Sequence, residues 1–275
     1  MIRRSFLTAS ATALALPLLA APVHARPRGG PPRVFVAGDS TASTYAAHEA
    51  PRAGWGQALD LFLGHGATVD NRALSGASSR SFADLGLLDG VLADLRPGDH
   101  LLVSFGHNDA KEYDPDRYTE PWSTYQSQLT AYLDGARERG AHPTLVTSVE
   151  RRRFTDGGVP RESHGDYPAA MRALGAREGV PTVDLTALSL DLWGRLGPED
   201  TKDYFLWLEP GGHPNYPEGV EDDTHFQAHG AIEVARLVAR ELKRLRVLPP
   251  RFTRRLGDPF PTPERALTWP DERPV

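Results

Sequence analysis

Two spacings of apolar residues alternate along the chain. Short apolar, often β-branched runs at residues 33–36, 67–69, 100–105, 143–149 and 180–185 predict five buried strands. Residues 55–63, 82–95, 125–139 and 167–178 repeat their apolar positions every three or four residues and predict helices, and 228–245 predicts a long amphipathic one. Several of these segments end at breakers: Gly64 and Gly66, Pro97-Gly98, Gly140 and Pro249-Pro250. Short apolar strands joined by helices imply a parallel sheet covered on both faces. Right-handed crossovers then give an α/β fold, a doubly wound, five-stranded sheet in a three-layer α/β/α sandwich. The domain spans residues 33–248. Residues 26–32 are rich in Pro, Gly and Arg and read as a linker, and the Pro- and charge-rich tail 249–275 is expected to wrap the surface or stay disordered.

Composition adds exclusions. The chain has 275 residues, room for one such domain plus tails. Its formal net charge is −5, with no basic stripe for nucleic acid; the run Arg151-Arg152-Arg153 is short and reads as a solvated loop. There are no cysteines, so disulfides, thiolate catalysis and cysteine-ligated metals are excluded. The ten histidines form no metal-ligand spacing, and no cofactor is expected.

Residues 1–25 read as a signal peptide. Arg3-Arg4 precede Ser5-Phe6-Leu7, a mostly apolar run at 9–21 is too short to span a bilayer, and Pro22 leads to the small-residue cut site Val23-His24-Ala25. The Arg-Arg-x-Phe-Leu pattern is that of a twin-arginine signal. The expectation is a secreted chain starting near Arg26, handled by the twin-arginine export machinery and not stably inserted in a membrane.

Ligands of open α/β sheets bind beyond the carboxyl ends of the strands, so the polar residues following the predicted strands carry the interest. Three segments fall there: Gly38-Asp39-Ser40-Thr41-Ala42-Ser43, Ala73-Leu74-Ser75-Gly76-Ala77-Ser78-Ser79, and Ser104-Phe105-Gly106-His107-Asn108-Asp109. A fourth, Glu221-Asp222-Asp223-Thr224-His225-Phe226, precedes the last helix. Taken singly, each also fits a plain loop or a helix cap. Gly38 would let the backbone turn sharply before Ser40, Gly76 would expose a backbone N–H, and Asn108 offers a neutral amide donor. Asp222 and His225, three apart, can meet through a tight loop, the carboxylate holding Nδ1–H and leaving Nε2 as a base.

Together and in this order, the four segments resemble the four sequence blocks of the SGNH hydrolase superfamily, the GDSL-type esterases, over 33–245. The resemblance implies a flavodoxin-like fold, a catalytic triad of Ser40, Asp222 and His225, and an oxyanion hole made of the N–H of Ser40, the N–H of Gly76 and the amide of Asn108. The chain has neither a Gly-x-Ser-x-Gly elbow nor a His-Glu-x-x-His motif. Asp222-Asp223-Thr224-His225-Phe226, the stretches Leu208-Glu209-Pro210-Gly211 and Tyr216-Pro217-Glu218-Gly219-Val220, and Ser163-His164-Gly165-Asp166-Tyr167-Pro168 are similar to the rhamnogalacturonan acetylesterase group, carbohydrate esterase family 12. This implies removal of O-acetyl groups from a pectin backbone, or from xylan or small acetyl esters.

Asp223 is expected to face solvent or cap the following helix, and Asp39 and Asp109 to hold turns. His107, Trp207 and Tyr216 are candidate substrate contacts, with Trp122 a further aromatic for sugar stacking. The competing readings are a lipolytic or general short-chain esterase, and a non-catalytic carbohydrate-binding protein that keeps the fold.

Overall fold

The computed structural model describes residues 30–274; the expected signal peptide and most of the linker lie outside them. In chain order the main elements are β1 (Arg33–Gly38), β2 (Arg52–Ala53), α1 (Trp55–Ala58), β3 (Thr68–Asn71), α2 (Ser79–Asp84), α3 (Leu87–Asp94), β4 (His100–Ser104), α4 (Gln126–Glu138), β5 (His142–Val146), α5 (Tyr167–Glu178), β6 (Thr182–Val183), α6 (Leu185–Asp200), β7 (Phe205–Leu208), β8 (Val220–Gln227), α7 (Ala228–Arg244) and α8 (Pro263–Ala266). The main sheet has the order β3-β1-β4-β5-β6 with every neighbouring pair parallel. The five-stranded, doubly wound sandwich is therefore the one the apolar pattern predicts.

Strand alternation sends successive side chains to opposite faces, which explains the two cores. Val34, Val36, Leu102, Val146 and Val183 pack under Trp55, Trp193, Ile232 and Val238, the layer of α1, α6 and α7. Phe35, Ala37, Leu101, Val103 and Leu145 pack under Phe82, Leu88, Leu129, Tyr132 and Met171, the layer of α2 to α5.

Four local departures have physical causes. The helix expected over 82–95 is two helices, because Gly86 takes the left-handed conformation at φ +74°. The helix expected over 55–63 is α-helical only to Ala58 and then tightens to 3-10 geometry through Phe62. The last strand, expected over 180–185, pairs only at Thr182 and Val183, since Asp184 accepts the N–H of Ala187 at 3.3 Å and starts α6, a helix the apolar reading did not include. Finally, β2, β8 and β7 form a small antiparallel sheet that was not expected. Past Pro249 the chain lies against the body, with Phe252 and Leu267 in the first core and the N–H of Arg254 donating to the Phe62 carbonyl.

Candidate active site

The strand order reverses at β1: the chain steps outward to β3 and then returns across β1 to β4. The carboxyl ends of β1 and β4 therefore open a crevice at this switch point, and three of the four segments converge there.

Gly38 ends β1. Its φ is not left-handed, so a sharp turn is not why glycine is needed. A Cβ there would stand 2.9 Å from the Ser104 carbonyl oxygen of β4, so glycine allows close strand packing under Ser40. The next turn is built by Asp39, whose Oδ1 accepts the N–H of Thr41 at 2.9 Å and its hydroxyl at 2.8 Å, while its carbonyl accepts the N–H groups of Ala42 and Ser43. Burial raises the Asp39 carboxyl above its ordinary range against these bonds. Ser40 is thereby held at the end of a short, hydrogen-bonded turn.

Gly76 sits at φ +85°, a left-handed conformation that side chains disfavour. Asn108 is buried and donates its amide to the Ala77 carbonyl at 2.8 Å, leaving one N–H of that amide for the crevice. Asp109 ties these two segments together, accepting the N–H and hydroxyl of Ser79 and, at 3.0 Å, the hydroxyl of Thr119. Burial pushes the Asp109 carboxyl up to about 6 despite those bonds. Both aspartates thus hold turns, as the sequence suggests. Among the described residues, the backbone N–H groups of Ser40 and Gly76 meet no protein acceptor.

The fourth segment lies not in a loop before α7 but inside strand β8. Phe226 pairs with Phe205, yet the next pair is Asp222 with Leu206, so residues 223–225 bulge out of the ladder. Asp222 closes this bulge: Oδ1 accepts the N–H groups of Thr224 at 2.8 Å and His225 at 3.0 Å, and Oδ2 lies 2.7 Å from His225 Nδ1. His225 Nε2 then lies 2.9 Å from Ser40 Oγ. Burial would raise the Asp222 carboxyl, but the bond and charge of His225 and the backbone donors outweigh it and hold the group down at about 2. Asp222 is consequently ionised above the ordinary carboxylate range, and its stabilising contribution, full above the ordinary value of 3.8, is lost as pH falls from there through about 2.

Asp223 does not cap α7; its side chain is 46% exposed, so it faces solvent as expected, but it is also paired. Its Oδ1 accepts from Arg152 and from Trp207 Nε1, each at 3.0 Å. This also corrects the reading of the arginine run, because the Arg152 side chain is only 11% exposed.

Ser40, Arg52, Ser75, Gly76, His107, Asn108, Lys111, Arg151, Thr224 and His225 line a cavity of about 300 Å³. That is the small end of ligand-site sizes. A larger cleft of about 990 Å³, near His100, His142 and Arg251, opens at the amino ends of the strands, away from Ser40. His107 is 4% exposed and packs edge-on against His164 at 4.3 Å. Trp207 and Tyr216 do not line the cavity: Trp207 is held by Asp223 and lies under the Arg152 guanidinium at 4.5 Å, and the Tyr216 hydroxyl donates to the Glu49 carbonyl. The exposed Trp122 donates to Asp166 at 2.9 Å. Arg52 and Lys111 are cavity residues that the sequence reading did not single out, and Arg151, read there as part of a solvated loop, lines the cavity too. Among the described residues no helix is long and apolar enough to cross a membrane, and no group of three or more acidic or histidine side chains is placed to hold a metal.

Comparison with known proteins identifies the family. The model of the GDSL-like lipase/acylhydrolase family matches residues 36–231, a range that includes all four segments. The rhamnogalacturonan acetylesterase RhgT of Bacillus subtilis is 48% identical over 215 residues, 78% of this chain and 91% of the relative. The probable rhamnogalacturonan acetylesterase YesY of the same organism is 41% identical, over 77% of this chain and 93% of the relative. Among solved structures, B. subtilis YxiM superposes with a TM-score of 0.68 at 28% identity, over 79% of this chain and 57% of that one. The chain belongs to the GDSL-like lipase/acylhydrolase family.

Proposed function

We propose that this chain is an exported serine esterase that removes O-acetyl groups from rhamnogalacturonan. The observation that carries the chemistry is the hydrogen-bonded relay from Asp222 Oδ2 through both nitrogens of His225 to Ser40 Oγ. An ionised Asp222 accepts only, so the imidazole proton sits on Nδ1 and the Nε2 lone pair faces the Ser40 hydroxyl. Nε2 of His225 takes the hydroxyl proton of Ser40 as Oγ attacks the acetyl carbonyl, and Asp222 stabilises the imidazolium. The unpaired N–H groups of Ser40 and Gly76 and the remaining amide N–H of Asn108 receive the oxyanion. The imidazolium of His225 then gives its Nε2 proton to the sugar oxygen as its bond to the acetyl carbon breaks, and water repeats the cycle on the acetyl-enzyme.

The carbohydrate substrate is supported by the names of the relatives at 48% and 41% identity, and the small cavity suits an acetyl rather than a long acyl group. The test is acetate release from acetylated rhamnogalacturonan and acetylated xylan, together with a pair of aryl esters bearing acetyl or octanoyl groups. Acetylated rhamnogalacturonan is expected to be deacetylated fastest, and the acetyl aryl ester to react at least about tenfold faster than the octanoyl one, the scale on which a pocket discriminates by hydrocarbon size. Equal rates on the two aryl esters would make the protein a general lipolytic enzyme instead.

Export rests on the twin-arginine signature at Arg3-Arg4. N-terminal sequencing of the extracellular protein is expected to begin near Arg26, and recovery of extracellular protein starting at Met1 would refute cleavage.

A further inference from the structure

The cavity at Ser40 carries charge that the acyl-transfer steps do not use. Arg52, Lys111 and Arg151 line it, each partly buried. Among the described residues none of the three pairs with a carboxylate, although arginines as exposed as Arg195 and Arg244 do. Arg151 is seated by neutral groups: its Nη1 donates to the Ser163 carbonyl at 3.1 Å and faces His164 Nδ1 at 3.4 Å. His164 gives its other ring N–H to the Val149 carbonyl at 3.0 Å, and Glu150 Oε2 is occupied by the N–H and hydroxyl of Ser163. The Ser163-His164 pair of the sequence analysis thus serves to place Arg151. Burial, and then Arg153, push the Arg151 guanidinium below its usual range, and burial followed by Arg117 does the same to the Lys111 ammonium. Asp39 and Glu150 attract Arg151, and Asp114 and Asp39 attract Lys111, only from beyond ion-pair distance, and partly desolvated cations with no direct ion pair are costly until a ligand supplies one.

His107 adds a second signal. It is buried at the cavity wall, yet neither ring nitrogen has a protein partner in hydrogen-bonding geometry; the nearby Val149 carbonyl receives His164 instead. A neutral imidazole offers one donor and one acceptor, the complement of a hydroxyl group. The chain as a whole is acidic, at −5, so it does not attract polyanions by its overall charge; attraction has to be local.

Resting on the acetylesterase reading, we propose that Arg151, Lys111 and Arg52 bind the carboxylate of the sugar unit that carries the acetyl group, so that this unit is a uronate with a free carboxyl group, and that His107 engages one of its hydroxyls. Guanidinium and carboxylate match in geometry as well as charge. Methyl esterification of the carboxyl would remove the charge these groups recognise. Where the polymer is esterified, a carboxyl-ester hydrolysis must therefore act first to supply the substrate.

The test uses two methyl galactosiduronates acetylated at the same hydroxyl, one a free acid and the other its methyl ester, with acetate release followed for each. Wild-type kcat/KM is expected to be about 10–100-fold higher on the free acid, the range for a hydrogen bond to a charged group. The difference should lie mainly in KM and shrink in about 1 M salt. Arg151→Gln and Lys111→Gln should each reduce that ratio severalfold, the double variant should bring it near one, and Arg151→Lys should keep more of it than Arg151→Gln. The wild-type comparison requires no variant to fold. Equal rates on the two esters overturn the proposal and leave the acetylesterase reading standing. A preference that survives the double substitution overturns its assignment to these residues. No acetate from either ester or from any neutral acetyl ester overturns the acetylesterase reading and this proposal with it.

Discussion

Ser40→Ala is expected to lower kcat on an acetyl ester by about 10⁶-fold, the loss typical of removing a serine nucleophile, with the melting temperature nearly unchanged. The side chain is small, and its one described hydroxyl contact is His225 Nε2 at 2.9 Å, so its removal deletes chemistry with little packing. The backbone is untouched: the turn is held by Asp39, and the Ser40 carbonyl still accepts the Tyr45 hydroxyl at 2.7 Å. The oxyanion donors also remain, so a residual acceleration of about 10³–10⁴ over water should persist. Asn108→Ala provides the contrast. It removes one oxyanion donor and should cost about 10²–10³ in kcat, together with the bond to the Ala77 carbonyl. Acetate release in single-turnover experiments, read beside thermal melts, separates the two variants. A Ser40→Ala protein that kept more than about a tenth of wild-type turnover would exclude Ser40 as nucleophile, because losses of that role are far larger.

The sheet and most of the candidate site are legible in the sequence for one shared reason. Parallel strands buried on both faces must be apolar runs, and the ends of such runs mark where a ligand crevice opens. Ser40, Gly76 and Asn108 follow three of them. What escaped notice has weaker local signals. Strand β8 buries only Phe226 fully among Val220–Gln227, so its polar sequence resembles a loop. Its extended pairing is imposed by β7 and β2, and the bulge that brings Asp222 to His225 appears only as a register shift against β7. Helix α6 did carry a signal, with Leu185, Leu188, Leu192 and Leu196 at helical spacing and Asp184 as cap, but Val180 to Leu185 also reads as a strand and hides its start. Gly194, Gly197 and Pro198 then obscure its end, where Gly197 at φ +75° interrupts the helical geometry. Arg151 is the clearest limit. It is followed in sequence by two more arginines, whereas the groups that seat it, Ser163 and His164, arrive from 12 and 13 residues away.

Asp222→Asn is expected to lower kcat by about 10⁴-fold, as loss of the orienting carboxylate does where a histidine tautomer depends on it, while Asp223→Asn stays within about tenfold of wild type. The geometry of the bulge makes the first loss more than a loss of charge. The N–H groups of Thr224 and His225 both point at Oδ1, so an asparagine at 222 places its carbonyl oxygen there and its NH₂ at the Oδ2 position, 2.7 Å from His225 Nδ1. A donor at that place demands an unprotonated Nδ1. The ring proton then moves to Nε2, which can no longer accept from Ser40. At position 223, asparagine can still accept from Arg152 and Trp207 through its oxygen. Only the charge of a pair whose acid is 46% exposed is lost, about 1 kcal/mol of stability at most. Since Asp222 is held at about 2 and Asp223 lies outside the relay to Ser40, the two substitutions should also differ in pH behaviour. Wild type and Asp223→Asn should share one rate profile above pH 5, and residual Asp222→Asn activity should climb toward alkaline pH, where hydroxide can replace the misprotonated histidine. Rates measured across that range decide the matter: if Asp223→Asn proved the more damaging change, Asp223 would take over the orienting role and the relay drawn through Asp222 would be wrong.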